Sequence, residues 1–191
     1  FDVSTATFVH SFTIDDEFPI DVAFNNDGTK MFVSGAEDND INEYTLTTAF
    51  DVSTATYVDN LVVTVQDGSP LFFHFNNDGT KMILLGDDND TLYEYTLPTA
   101  FDVSTATHID SLVVEDQDNT PRGLAFNNDG TKMFIMGFDD KDINEYTLTT
   151  GFDLSTVTFI GTLDFTQDNA PRGLAFNNDG SKMFIVGAVD D

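Results

Sequence analysis

Apolar and polar residues alternate along this chain in short bursts, and the bursts return on a fixed schedule. Ile143-Asn144-Glu145-Tyr146-Thr147-Leu148 alternates with period two, and Gly123-Leu124-Ala125-Phe126 alternates small with large. Such runs, rich in β-branched and aromatic residues, predict strands. No stretch carries a helical period. Between two of the strands stands Asn-Asn-Asp-Gly, four times over, after Phe24, Phe75, Phe126 and Phe176. Glycine takes a positive φ without strain, and Asn and Asp tolerate it best of the rest, so the motif predicts a tight hairpin. Its glycines fall at 28, 79, 130 and 180, a period of 51, 51 and then 50 residues.

Each period divides into four pieces. A Phe-Asp-x-Ser-Thr turn opens it, at Phe1, Phe50, Phe101 and Phe152, and leads into a strand that in the first copy runs to Ile14. Asp, Ser and Thr favour such turns because their side chains bond nearby backbone amides. A polar loop then ends at Pro19, Pro70, Pro121 or Pro171 and a short strand enters the hairpin. The returning strand, such as Lys132 to Gly137, is followed by an acidic loop and by the alternating strand of Ile143 to Leu148. About four strands in about 50 residues predict an all-β fold: a β-propeller, or a propeller-like array, of four-stranded antiparallel blades. The expected organisation is one repeat domain over 1–191, with an outer strand at 1–14, blades at about 15–64, 65–115 and 116–166, and an incomplete blade at 167–191.

With strands named a to d from the inside out, the order is d, abc, d, abc, d, abc, d, ab, fifteen in all. The last blade stops before its third strand, so the first strand lacks a sheet to join and the last blade shows a bare edge. Two completions follow: a longer protein supplies more strands, or a neighbouring copy does. The chain opens at Phe1 with neither Met nor a signal peptide, which fits a processed start or a part of a longer protein.

The Phe24 to Val33 segment, Phe-Asn-Asn-Asp-Gly-Thr-Lys-Met-Phe-Val, resembles the Phe-Ser-Pro-Asp-Gly-x-x-Leu-Tyr-Val segment of YVTN-type propellers, which share a fold with lactonase-like propellers. The resemblance covers all four repeats and implies the fold. Asn-Asn stands where that family often has Ser-Pro, and the repeat is several residues longer. No motif of this chain matches the metal and catalytic residues of the family's enzymes.

Charge narrows the partners. Against 34 acidic residues stand 7 basic ones, a net charge of −27, which repels nucleic acid and anionic lipid surfaces and attracts cations. No apolar run approaches the roughly 20 residues of a membrane helix. The chain has no cysteine, so disulfides, thiolate metal sites and cysteine nucleophiles are excluded. Acidic, cysteine-free repeats of this kind fit a secreted or cell-surface protein, bacterial in character.

Candidate chemistry is sparse. The acidic loops place alternate oxygen ligands at Asp38, Asp40 and Asn42 and at Asp140, Asp142 and Asn144, the spacing that begins a calcium loop, although Glu43 and Glu145 stand where such a loop needs glycine. Asp190-Asp191 begins a fourth acidic loop. His74 replaces an alanine on the inner strand, His10 and His108 fall in other columns, and Arg122 and Arg172 follow proline in two copies only. His74, Arg122 and Arg172 are therefore the candidate ligand contacts. Lys30, Lys81, Lys132 and Lys182 recur beside the hairpin aspartate, whose charge they offset. Trp is absent, which argues against a lectin.

These features together predict a non-enzymatic extracellular structural or adhesive repeat module. It would be stabilised by calcium and self-associate with identical copies or adjacent repeats, built into a polymer by strand donation. A glycan- or ligand-binding propeller and a lactonase-like hydrolase are the alternatives.

Overall fold

A computed structural model describes residues 3–118, 120–166 and 168–188. The first sheet comprises β1 (Pro19–Phe24), β2 (Lys30–Gly35), β3 (Asp40–Leu46) and β4 (Ala55–Val62), hydrogen-bonded in that order. The second holds β5 (Pro70–Phe75), β6 (Lys81–Gly86), β7 (Thr91–Thr96) and β8 (Thr107–Val113). The third holds β9 (Pro121–Phe126), β10 (Lys132–Gly137), β11 (Asp142–Leu148) and β12 (Val157–Asp164). The fourth is a pair, β13 (Pro171–Phe176) and β14 (Met183–Gly187). Pairing within the sheets is antiparallel throughout. The inner strands β1, β5, β9 and β13 lie side by side in sequence order, which sets the sheets out as blades along an arc.

The hairpins form for the reason the motif suggests, with each side chain given a separate task. Gly28 takes φ 71°. The Asn25 carbonyl accepts from Gly28 N at 3.1 Å, and its side-chain oxygen accepts from Lys30 N at 2.9 Å. Asp27 accepts from both the N–H and the hydroxyl of Thr29, at 3.0 and 2.6 Å. The second asparagine looks outward: Asn26 donates to the Asn77 carbonyl, Asn77 to that of Asn128, and Asn128 to that of Asn178. The hairpins are thus tied one to the next.

The core lies between sheets rather than within them. Phe32 and Ile41 of the first sheet meet Phe73, Met82 and Leu84 of the second, and Phe32, Ile41, Met82 and Leu84 are fully buried. Ile83 and Leu85 meet Met133 and Ile135 in the same way at the next junction. Burying one such side chain stabilises the fold by about 1.5–3 kcal/mol. Each sheet alone would leave both faces wet, so stacking decides the architecture.

The stretch expected as an outer strand at 1–14 departs from that expectation. Val3–Thr5 is a 3-10 turn, and residues 6–14 form no strand. A strand needs a partner edge, and no sheet among the described residues takes this stretch in. The described residues therefore hold fourteen strands rather than fifteen. Phe12 and Ile14 still cover Met31, Val33 and Tyr44 of the first sheet, while Phe8 and Val9 stand in solvent.

Candidate functional site

The Phe-Asp-x-Ser-Thr linkers between third and fourth strands carry the most distinctive geometry. Asp51, Asp102 and Asp153 each cap a short 3-10 turn by accepting from the serine two residues on. The phenylalanine before each aspartate is forced left-handed, with φ of 58°, 54° and 54° at Phe50, Phe101 and Phe152. That conformation costs a bulky residue about 1–3 kcal/mol and persists only where packing holds it.

The packing is a seat made by a glycine. A Cβ added to Gly28 would lie 2.4 Å from the Phe50 ring, one on Gly79 2.2 Å from Phe101, and one on Gly130 2.1 Å from Phe152. The hairpin glycine thus serves twice, for its positive φ and for the room it leaves. At Gly180 nothing lies within 4 Å.

A latch from the preceding sheet accompanies the second and third seats. Lys30 Nζ pairs with Glu43 Oε1 at 2.6 Å and also donates to the Phe101 carbonyl at 2.6 Å. The other oxygen of Glu43 accepts from Val103 N at 3.0 Å. One sheet later, Lys81 pairs with Glu94 at 2.6 Å and donates to the Phe152 carbonyl at 2.9 Å, while Glu94 accepts from Leu154 N at 2.8 Å. Lysine and glutamate together read the carbonyl of a phenylalanine and the N–H two residues on. Glu43 and Glu94 are only 2% and 1% exposed. The third pair, Lys132 and Glu145, closes at 2.5 Å, but its side chains are 49% and 32% exposed. The next linker in the series would reach it from beyond β14, and no described residue does.

Beside this third latch and the Gly180 seat lies a cavity of about 720 Å3, lined by His74, Lys132, Phe134, Phe176 and Asn177 among others. The rings of Phe134 and Phe176 lie tilted to each other with centres 4.6 Å apart, the same separation as Phe32 and Phe75, which at the first junction are joined by Phe101. The cavity is the space that a linker phenylalanine fills elsewhere.

The lysines therefore do more than offset the hairpin aspartate. The signal was in the chain: lysine and glutamate recur thirteen residues apart in the first three copies, as Lys30 and Glu43, Lys81 and Glu94, Lys132 and Glu145. Nothing in one copy says that the pair acts on a linker 71 residues away, because that contact exists only once the sheets stack.

The other candidates are dispersed. His74 lies over Phe152 with its ring 8° from parallel and 5.9 Å away, and touches Phe126 at 5.3 Å. Burial pushes its pKa below the usual imidazole range, so it is neutral at pH 7. It also borders a second cavity of about 270 Å3, where Asp21, Phe73, Leu124 and Leu174 of the four inner strands converge. Arg122 forms a two-pronged ion pair with Asp87 of the preceding sheet's acidic loop. Arg172 sits over the Phe138 ring, 5.1 Å from its centre.

In the acidic loops, Asp38 and Asp140 point to solvent while Asp40 and Asp142 are buried. Asp40 accepts from Asn42 and Asn60 at 2.7 and 2.6 Å, and Asp142 from Asn144 at 3.1 Å. Among the described residues no three acidic or histidine side chains converge to hold a metal ion. Asp190-Asp191 lies outside the described residues. Asp118, which alignment on the proline pairs with Asp16, Asp67 and Asp168, is 1% exposed, and burial raises its pKa to about 6 despite the N–H of Thr120, with Asp142 and Asp140 adding to the effect. Tyr44, Tyr95 and Tyr146 are buried, so they offer no stacking face to a sugar.

No family model matches the sequence, and no curated protein matches it. Solved structures do match in shape. The fold is that of a β-propeller. The chain superposes on a structure described as a putative 6-phosphogluconolactonase from Bacteroides uniformis with a TM-score of 0.66 at 12% identity, over 87% of this chain and 46% of that one. The periplasmic gluconolactonase of Pseudomonas aeruginosa gives 0.61 at 15%, over 88% and 47%. The Swd1 β-propeller domain from Myceliophteria thermophila gives 0.62 at 7%, over 88% and 50%. The fold-level resemblance to lactonase-like propellers holds, and this chain spans about half the length of each. The expectation of a non-enzymatic module does not stand: two of these three are named as lactonases, so the shape is one that enzymes use. None of the three is named as an adhesin or a filament subunit.

Proposed function

We propose that this chain is an arc of a larger β-propeller, an assembly module whose open end takes up the linker of a further repeat. The observation that carries this is the third latch. Lys132 and Glu145 repeat two pairs that each hold a Phe-Asp-x-Ser-Thr linker, and the glycine seat that belongs with them, at Gly180, is open. Among the described residues no strand pairs with the outer edge of β14, which supports the same reading, because the third strand of a blade leads directly into that linker.

The test is a labelled peptide with the sequence of residues 142–156, which holds one third strand and one linker. It should bind the chain and raise its fluorescence anisotropy. Alanine for the peptide's phenylalanine, or Glu145→Gln in the chain, should weaken binding at least about tenfold. Absence of binding at millimolar peptide would overturn the proposal.

A second reading is supported by the names of the structural neighbours: catalysis on a sugar-acid lactone by the completed ring. His74, between the two cavities, is the group to change. Lactone hydrolysis lost in His74→Ala would support it, and no turnover across a lactone panel by the assembled ring would remove it.

A further inference from the structure

Each sheet seats one aspartate against the glycine that ends its second strand: Asp16 at Gly35, Asp67 at Gly86, Asp118 at Gly137 and Asp168 at Gly187. Oδ1 of each accepts the N–H two residues on, of Phe18, Ser69, Thr120 and Ala170. The surroundings of the other oxygen differ from sheet to sheet. In the second sheet Asn89 Nδ2 lies 3.4 Å from Asp67 Oδ2, and Thr91 stands where the first and third sheets have Asp40 and Asp142. In the first, Asp16 is half-buried, and Asp40 receives two amides, from Asn42 and Asn60.

The third sheet has neither device. Thr162 takes the place of Asn60 and gives its hydroxyl to Asn144 Oδ1 at 2.7 Å, so Asp142 keeps only the Asn144 amide of the two. Asp118 is 1% exposed, and its Oδ2 has no hydrogen-bond partner among the described residues. A Cβ on Gly137 would fall 1.7 Å from Asp118 Oδ2 and 2.6 Å from Asp142 Oδ1, so both oxygens border the niche that the missing side chain leaves. Tyr146, on the same strand as Asp142, is 3% exposed, and its hydroxyl is equally without a partner. Burial, and after it the charges of Asp118 and Asp142, push its pKa up, which places the orphaned hydroxyl near both carboxylates. No ion pair of the described residues reaches Asp118 or Asp142. Buried carboxylates without a counter-charge are costly, and orphaned polar atoms in one place call for a missing partner.

We propose that Asp118 and Asp142 hold a divalent cation of the calcium type in the Gly137 niche, with Asp140 turning in from solvent as a third carboxylate. The ion class follows from the donors, which are hard oxygens without histidine or thiolate. Water completes the shell, and the Tyr146 hydroxyl finds its missing partner in one such water. The anchor is Asp118, 22 residues before the acidic loop, so the loop's own spacing does not reveal it. The site is internal to the third sheet and independent of the assembly reading.

The experiment titrates calcium chloride into the full chain after chelation, followed by calorimetry, in about 0.15 M KCl to screen the diffuse attraction of the acidic surface. The wild type should show one saturable site, and its Tm should rise with calcium. Asp118→Asn and Asp142→Asn should each weaken binding at least about tenfold, because one of two charged ligands is lost. Asp16→Asn and Asp67→Asn should leave affinity within about twofold, since neither borders the niche. In the chelated chain at pH 7, Asp118→Asn should raise Tm: asparagine keeps an acceptor for the Thr120 N–H and removes an uncompensated buried charge. A merely structural Asp118 would lower Tm there and leave the calcium response intact. No saturable heat by about 10 mM calcium overturns the proposal. Binding that survives both Asp118→Asn and Asp142→Asn places the cations on the general acidic surface and also overturns it. Equal loss in Asp67→Asn overturns the assignment to the third sheet.

Discussion

The second latch and the third are built from the same residue types in the same order, and they live in different worlds. Lys81 and Glu94 grip a linker, and Glu94 is 1% exposed; among the described residues Lys132 and Glu145 grip only each other, and Glu145 is 32% exposed. The difference shows that the ion pair is a receptor for main chain and not a surface ornament. A pair in water is worth roughly 0–1 kcal/mol, whereas removing one partner of a buried pair costs about 3–5 kcal/mol.

The largest expected contrast follows from this. Glu94→Ala should cost about 3–5 kcal/mol in urea unfolding, because Lys81 and the Leu154 N–H lose their acceptor, and Glu145→Ala under about 1 kcal/mol in the monomeric chain. Equal losses would break the comparison. The seats give a similar contrast: Phe152 is 5% exposed and Phe50 60%. Phe152→Ala should lower stability by about 3–5 kcal/mol and Phe50→Ala by about 1 kcal/mol or less. A smaller gap separates the glycines. Alanine at Gly79 or Gly180 meets the same left-handed backbone, about 1–2 kcal/mol, but only at Gly79 does the methyl strike a ring. Overpacking there should add about 1–3 kcal/mol, read as a further drop in Tm.

A last contrast is in pH. Asp67 has Asn89 Nδ2 at 3.4 Å from its Oδ2, while the matching oxygen of Asp118 is buried without a partner. The folded chain keeps a proton on Asp118 up to about pH 6, and the unfolded chain only to near 4. The unfolded state thus binds fewer protons between those values, so this group's contribution to stability is full at lower pH, is lost as pH rises through the window, and is flat above it. Its size is about 3 kcal/mol at most. Asp118→Asn, which keeps an acceptor for the Thr120 N–H, should flatten that slope; an unchanged pH profile would show that Asp118 does not set it.

Legibility in the sequence divides along a physical line. Whatever depends on neighbours in sequence was readable. Asn-Asn-Asp-Gly announces its hairpin, Asp-x-Ser-Thr its turn, and the 51-residue period its sheets. Whatever depends on stacking was not. The strand expected before Ile14 needs an edge from another sheet, and alternation along a segment cannot say whether that edge exists. The lysines looked like local counter-charges because the Phe101 and Phe152 carbonyls are 71 residues distant. An acidic partner for Arg122 was readable from the charge of the chain, but not which one: Asp87 lies 35 residues back, on the preceding sheet. A closer comparison of copies would have helped with the latch, since lysine and glutamate keep the same thirteen-residue spacing through three of them.

The asparagine relay along the hairpins gives the arc a gauge. Asn26, Asn77 and Asn128 each reach one carbonyl in the following repeat, over 2.6, 2.6 and 3.1 Å. All three bonds are exposed, each worth about 1 kcal/mol, so they follow a blade angle that the buried side chains between the sheets set. The relay is therefore a readout of that angle: a change in the core that turned one blade against the next would part the asparagine from its carbonyl before any strand came loose.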